Sequence, residues 1–298
     1  VVKWSCRLGL TLTALALTAS AFAADPPPGT PEPGDGPATP AQTVQQFRQE
    51  LAKRRPGIVA ELTSGDPDKV QKATDEIDEW SRSVNSSRRA DLFEMFVDTG
   101  LYEAAEDRIV QALLKSPASN YAVEHLQKVR AKSLLKQGKA KEALSAAKAY
   151  YDVCRFSETK DAIALVATCL SAANPADPSL AKRFKAQQVA GAGPTTQPAA
   201  DLGAPILASI PPEAPPVVPV ADIDARAPTT FVGYEAKGNL LLLVGRAADA
   251  KAVFDKAYAL ATDAQKATAI ENVARAIRAV HGSVGPANDY VTSVQQAK

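Results

Sequence analysis

Residues 100–117 read GLYEAAEDRIVQALLKSP. A glycine opens the stretch, a proline closes it, and strong helix formers dominate between them. Ala105 and Ala112 are seven apart and share one helical face, with Ile109 between them. Such a face accepts a second helix at short range, because alanine lets backbones approach and isoleucine fills the space beside them. Glu103, Glu106 and Asp107 are expected on the outer face, early in the helix where negative charge suits its dipole. The stretch reads as one packing helix, turned at Gly100 and stopped at Pro117.

Helix follows helix on both sides of it. Val44, Phe47 and Leu51 are spaced for one face; Pro56 is expected to interrupt, and Ile58, Val59 and Leu62 continue. Asp66-Pro67 is a cap followed by proline at the first helical position. Val70, Ala73, Ile77, Trp80 and Val84 form the next stripe. Further helices are predicted near residues 87–99, 101–115, 119–136, 139–154 and 158–173. Asp177-Pro178 opens a short one to 189, and four more lie near 231–244, 247–261, 263–280 and 285–296. No alternating strand pattern occurs, and aromatic residues are only 6% of the chain. The expected class is all-α, built from antiparallel helical hairpins.

Proline and the first residues divide the chain. Lys3 and Arg7 precede an apolar run from Leu8 to Leu17, and Ala21 and Ala23 place small residues before a cleavage point at Ala24. This is the pattern of a secretory signal peptide over residues 1–23; an uncleaved anchor is the alternative. The run is too short for a confident span of about 20 apolar residues, so no membrane span is expected in the mature chain. Residues 24–41 form a proline-rich linker, with seven prolines between 26 and 40. A helical domain is expected over 42–190, a second Pro/Ala-rich linker over 191–229, and a carboxy-terminal helical unit over 230–298. Both linkers are predicted to be disordered. Within the second, APILASI (Ala204 to Ile210) holds three large apolar residues, which are expected to dock on a helical surface.

The quoted stretch resembles the second half of a tetratricopeptide repeat, in which small residues mark the interhelix contacts and a turn residue separates two helices. Leu92 and Phe96 match its first helix; Phe93 departs where glycine or alanine is usual. The carboxy-terminal unit is similar: Tyr234, Gly238 and Leu241, a turn at Gly245, then Ala250, Phe254 and Ala257. There Lys237 replaces an apolar residue, and Thr262 the closing proline. A weaker copy holds Ala131, Leu134, Gly138 and Ala143, with Gln127, Arg130 and Tyr150 out of pattern. The resemblance implies a stacked α-solenoid. It also implies that replacing Ala105 or Ala257 with leucine overpacks a contact, at about 1–3 kcal/mol.

Chemistry is sparse. His125 and His281 are far apart, and no HExxH, CxxC, GxSxG or phosphate-loop pattern occurs. Asp75, Glu76, Asp78 and Glu79 read as the wet face of a helix. The basic clusters Lys53-Arg54-Arg55 and Lys182-Arg183-Lys185 lack interleaved aromatics, and the net charge is +1, so nucleic-acid binding is not expected. Cys154 and Cys169 are predicted to be buried, unpaired thiols. No catalytic residue, cofactor or metal is expected. By the repeat resemblance, the first helix of each hairpin lines a groove, and Glu94, Lys128, Lys132, Lys136 and Asn239 are its candidate peptide contacts. Lys128, Lys132 and Lys136 form one stripe, suited to an acidic peptide or a carboxyl terminus. The expected function is a periplasmic scaffold of a bacterial envelope that binds a protein or peptide; the alternative is a self-associating structural component of the envelope.

Overall fold

The computed structural model describes residues 44–84, 86–115, 120–189, 206–211 and 220–296. The expected signal peptide, the first linker and most of the second lie outside the described residues. Among the described residues the chain is helical, with no strand. No helix there is long and apolar enough to cross a membrane.

The helices are α1 (Val44–Leu62), α2 (Pro67–Ser83), α3 (Ser86–Asp98), α4 (Tyr102–Lys115), α5 (Asn120–Lys136), α6 (Ala140–Val153) and α7 (Thr159–Ala173). Then follow α8 (Leu180–Val189), α9 (Ile206–Ser209), α10 (Val220–Ala225), α11 (Phe231–Leu243), α12 (Ala247–Leu260), α13 (Lys266–His281) and α14 (Gly285–Gln296). Most consecutive helices pack on each other, α3 packs on α5, and α11 and α13 pack on α6. The stripe on α2 buries Ala73, Ile77 and Trp80, and Asp66 caps that helix by accepting from the Asp68 N–H. Helix α1 continues through Pro56, against expectation. Pro56 and Ala52 are both exposed, so the carbonyl that proline leaves without its amide partner faces water and the break costs less.

Three turns repeat one geometry. Gly100, Gly138 and Gly245 have φ of 83°, 76° and 77°, in the left-handed region open to glycine. In each, the residue after the glycine donates to the carbonyl four residues before the glycine: Leu101 to Phe96, Lys139 to Leu134, Arg246 to Leu241, at 2.8, 3.0 and 2.8 Å. The glycine N–H itself reaches Val97, Leu135 or Leu242. This closure satisfies the orphan carbonyls of the preceding helix. Five residues on, Ala105, Ala143 and Ala250 are fully buried.

Equivalent buried positions flank each turn. Seven residues before each turn glycine stand Phe93, Ala131 and Gly238; nine after it stand Ile109, Ala147 and Phe254, and all the non-glycine members are buried. The barest position faces the largest partner: a Cβ on Gly238 would lie 2.3 Å from the Phe254 ring. Alanine in place of a mid-helix glycine ordinarily stabilises by about 0.5–1 kcal/mol. Gly238→Ala is expected instead to cost about 1–3 kcal/mol, as overpacking does, and a thermal melt that rises would refute this contact. Lys237, out of pattern by sequence, donates to the carbonyls of Asp224 and Arg226 and so holds the end of α10.

The carboxy-terminal helices are joined to α6 by two buried arginines of α13. Arg275 donates to Val153 O (2.6 Å), Asn239 Oδ1 (2.8 Å) and Asn272 Oδ1 (2.7 Å). Arg278 donates to Thr159 Oγ1 and Cys154 O, both at 2.7 Å, and to Tyr151 O. Tyr151 and Val153 lie in the last turn of α6 and Cys154 caps it, where carbonyls lack intrahelical donors and the helix dipole is negative. Two guanidinium forks meet that need with several bonds each. Gln188 of α8 adds a bond to the Gly282 carbonyl, and Glu271 of α13 accepts from the Phe156 N–H.

Candidate functional site

The lysine stripe of α5 lies on a face shared with α3, α1 and the start of α7. Lys132 meets Glu94 at 2.5 Å, and Lys136 lies 3.9 Å from Asp98 and donates to Val97 O at 3.4 Å. Lys128 lies 3.2 Å from Asp161 and 3.6 Å from Glu158, with its ammonium 5.6 Å from the Tyr150 ring centre. Arg55 of α1 pairs with Asp98 from the other side. The face is therefore striped, cationic on α1 and α5 and anionic on α3 and α7, and each sequence-predicted lysine has a carboxylate nearby. Such half-exposed pairs contribute up to about 1 kcal/mol each and leave their outer surfaces to water.

Of the five candidate groove residues, Glu94, Lys128, Lys132 and Lys136 come together here. Asn239 does not join them: it is buried on α11, its oxygen accepting from Arg275. Asp91 and Asp98 complete the anionic row of α3. Their spacing with Glu94, three and four apart, was legible in the sequence. Burial, reinforced by Glu94, raises the Asp91 carboxyl above the usual range, while Arg48, Arg55 and Lys128 oppose that shift.

On the inner side of α5 sits Glu124, with no exposed surface. Arg155 approaches its carboxylate, with Nε at 3.6 Å and its backbone N–H as a weak further donor. Burial pushes its carboxyl up to about 7; Arg155 and Arg275 pull it down and Glu158 adds to the rise. Nothing in the sequence marks Glu124, because Arg155, Glu158 and Arg275 are all distant from it in the chain. His125, next to it, is half-buried, and its imidazole is shifted down by burial and by Arg155.

Several of the other acidic residues have structural partners. Asp78 accepts from Arg108 Nε and Nη2, both at 2.6 Å, Glu76 holds Arg54 at 2.6 Å, and Asp75 accepts from Gln71. Glu106 does not lie on the outer face as expected: it turns toward α5, pairs with Arg130 at 2.7 Å and keeps one oxygen buried. Arg130 drew it in, an attraction across helices that a single helical wheel does not show. Cys154 and Cys169 are both buried and free. Burial raises both thiols, Cys169 to about 11, which disfavours the thiolate. Among the described residues no group of three or more His, Cys, Asp or Glu could hold a metal ion.

Comparison with family models, curated proteins and solved structures found no match.

Proposed function

We propose that the chain is a tetratricopeptide-like scaffold, exported to a bacterial periplasm, that binds another protein through the striped face of α1, α3, α5 and α7 and performs no chemistry of its own. The observation that carries the repeat reading is the turn closure shared by Gly100, Gly138 and Gly245, each followed by a buried alanine at the same offset. Helices joined by such turns stack as hairpins, and stacked hairpins leave the first helix of each pair on one surface. The amino-terminal pattern supports export.

The pairing of the lysines refines the partner. A purely acidic peptide would compete with Glu94, Asp98 and Asp161 for the same ammonium groups. A partner carrying both signs in register meets the stripes without breaking them. Electrostatic complementarity of this kind sets specificity and association rate more than total affinity.

The charge-exchanged variant Glu94→Lys/Lys132→Glu tests the reading, because it keeps the internal pair and reverses its order on the surface. Thermal stability should stay within about 0.5 kcal/mol of the parent. Proteins cross-linked to the purified chain in envelope extracts should disappear with the variant. A stoichiometric partner retained equally by both chains would sink the assignment to this face.

A further inference from the structure

Helix α9 is a single turn, Ile206–Ser209, set between stretches of sequence rich in proline and alanine. A turn this short does not persist as a helix by itself. Its conformation comes from the surface it rests on. Ile206, Leu207 and Ile210 are buried in an apolar cluster with Tyr151 of α6, Val166 and Leu170 of α7 and Phe184 of α8. The surface also reads its backbone: the buried amide of Gln187 accepts from the Ile206 N–H at 3.0 Å. Apolar sockets plus one fixed acceptor for a backbone donor make the arrangement by which a protein holds a short peptide.

The fit is incomplete. A cavity of about 240 Å³ remains between α9, Lys148 and Asp152 of α6, and the turns at Gly245 and Gly282. Leu207, Ala208 and Ile210 form its wall on the α9 side. Ala208 is exposed at its rim, so a longer side chain at that position could reach across it. The tether compensates, since a ligand held on a short linker acts at an effective concentration in the millimolar range.

We propose that α6, α7 and α8 form a peptide-binding site for one apolar helical turn of a partner protein, with large apolar residues at its first, second and fifth positions, and that Ile206–Ile210 is a tethered stand-in for that ligand. This site is separate from the striped face and stands whether or not that face binds a partner. A partner with leucine or methionine at the third position fills the cavity and displaces the tethered turn.

Protease sites placed within 194–199 and 212–217 of the full chain allow the segment to be cut free without altering any contact residue. The probe is a fluorescein-labelled peptide of residues 203–211. It should bind the nicked chain, bind the intact chain at least about tenfold more weakly because of the tether, and lose affinity for a nicked Gln187→Ala chain. A version with leucine for Ala208 should bind at least about fivefold tighter, by burying three more carbons. Retention of the native fragment against excess peptide would overturn the proposal and make α9 a permanent part of the core. Loss of the fragment with no binding of either peptide would overturn it equally. So would dimers that form on nicking, since the occupant would then be a second copy.

Discussion

Arg278→Ala is expected to lower stability by about 3–5 kcal/mol, the sum expected when several buried acceptors lose one shared donor group and a cavity opens. The side chain is fully buried and supplies donors to Tyr151 O, Cys154 O and Thr159 Oγ1. Removing it leaves acceptors at the end of α6 without partners, each costing about 1–3 kcal/mol when buried, and opens a cavity as well. Arg278→Met separates the two effects, for it restores most of the stem volume and none of the donors. It should still lose about 2–3 kcal/mol. Denaturant unfolding measures both, and hydrogen exchange locates the loss: amides of α13 and of the last turn of α6 should lose protection before those of α3 and α5. A loss below about 1 kcal/mol in both variants would mean that the junction is held by something other than these bonds.

Glu124→Gln is expected to stabilise the chain at neutral and alkaline pH by about 3–4 kcal/mol. The carboxyl rises from 4.5 to about 7 on folding, and each unit corresponds to about 1.4 kcal/mol. A raised carboxyl binds its proton more tightly in the folded chain than in the unfolded one. Stability is therefore greatest below the unfolded value, falls as pH rises from about 4.5 to about 7, and is constant above. Glutamine cannot ionise, so the variant should match the parent near pH 4 and exceed it near pH 8. Plotting the difference between the two chains removes contributions from Asp91 and other carboxyls. Parallel curves across that window would show that Glu124 is ionised without penalty.

Much of the helix map could be read directly. Asp66-Pro67, the α2 stripe and the turn glycines each act through local geometry: a capping bond, a 3.6-residue period, a positive φ. The docking of Ile206, Leu207 and Ile210 was legible too, because three large apolar residues are poorly suited to a solvated linker. Other features were not. Pro56 stays inside α1 since the carbonyl it leaves unbonded faces water, and facing is a tertiary property. Glu106 left the outer face for Arg130, on the next helix. The lysine stripe was visible as spacing, but its pairing with Glu94, Asp98, Glu158 and Asp161 needed α3 and α7 to be set beside α5.

What the sequence by itself determined is the all-helical class, where most of its longer helices begin and end, and which faces carry alanine and large apolar groups. Those follow from forces acting within a few residues. The tertiary structure alone decided where the carboxy-terminal helices rest. In Asn272-Val273-Ala274-Arg275-Ala276-Ile277-Arg278 every residue is buried, though two of the side chains are cations that a sequence reading places in water. They are inside because the carbonyls ending α6, more than a hundred residues earlier, need donors in a place water does not reach. An unmet need of that kind belongs to no single segment, so it exists only once the chain has folded.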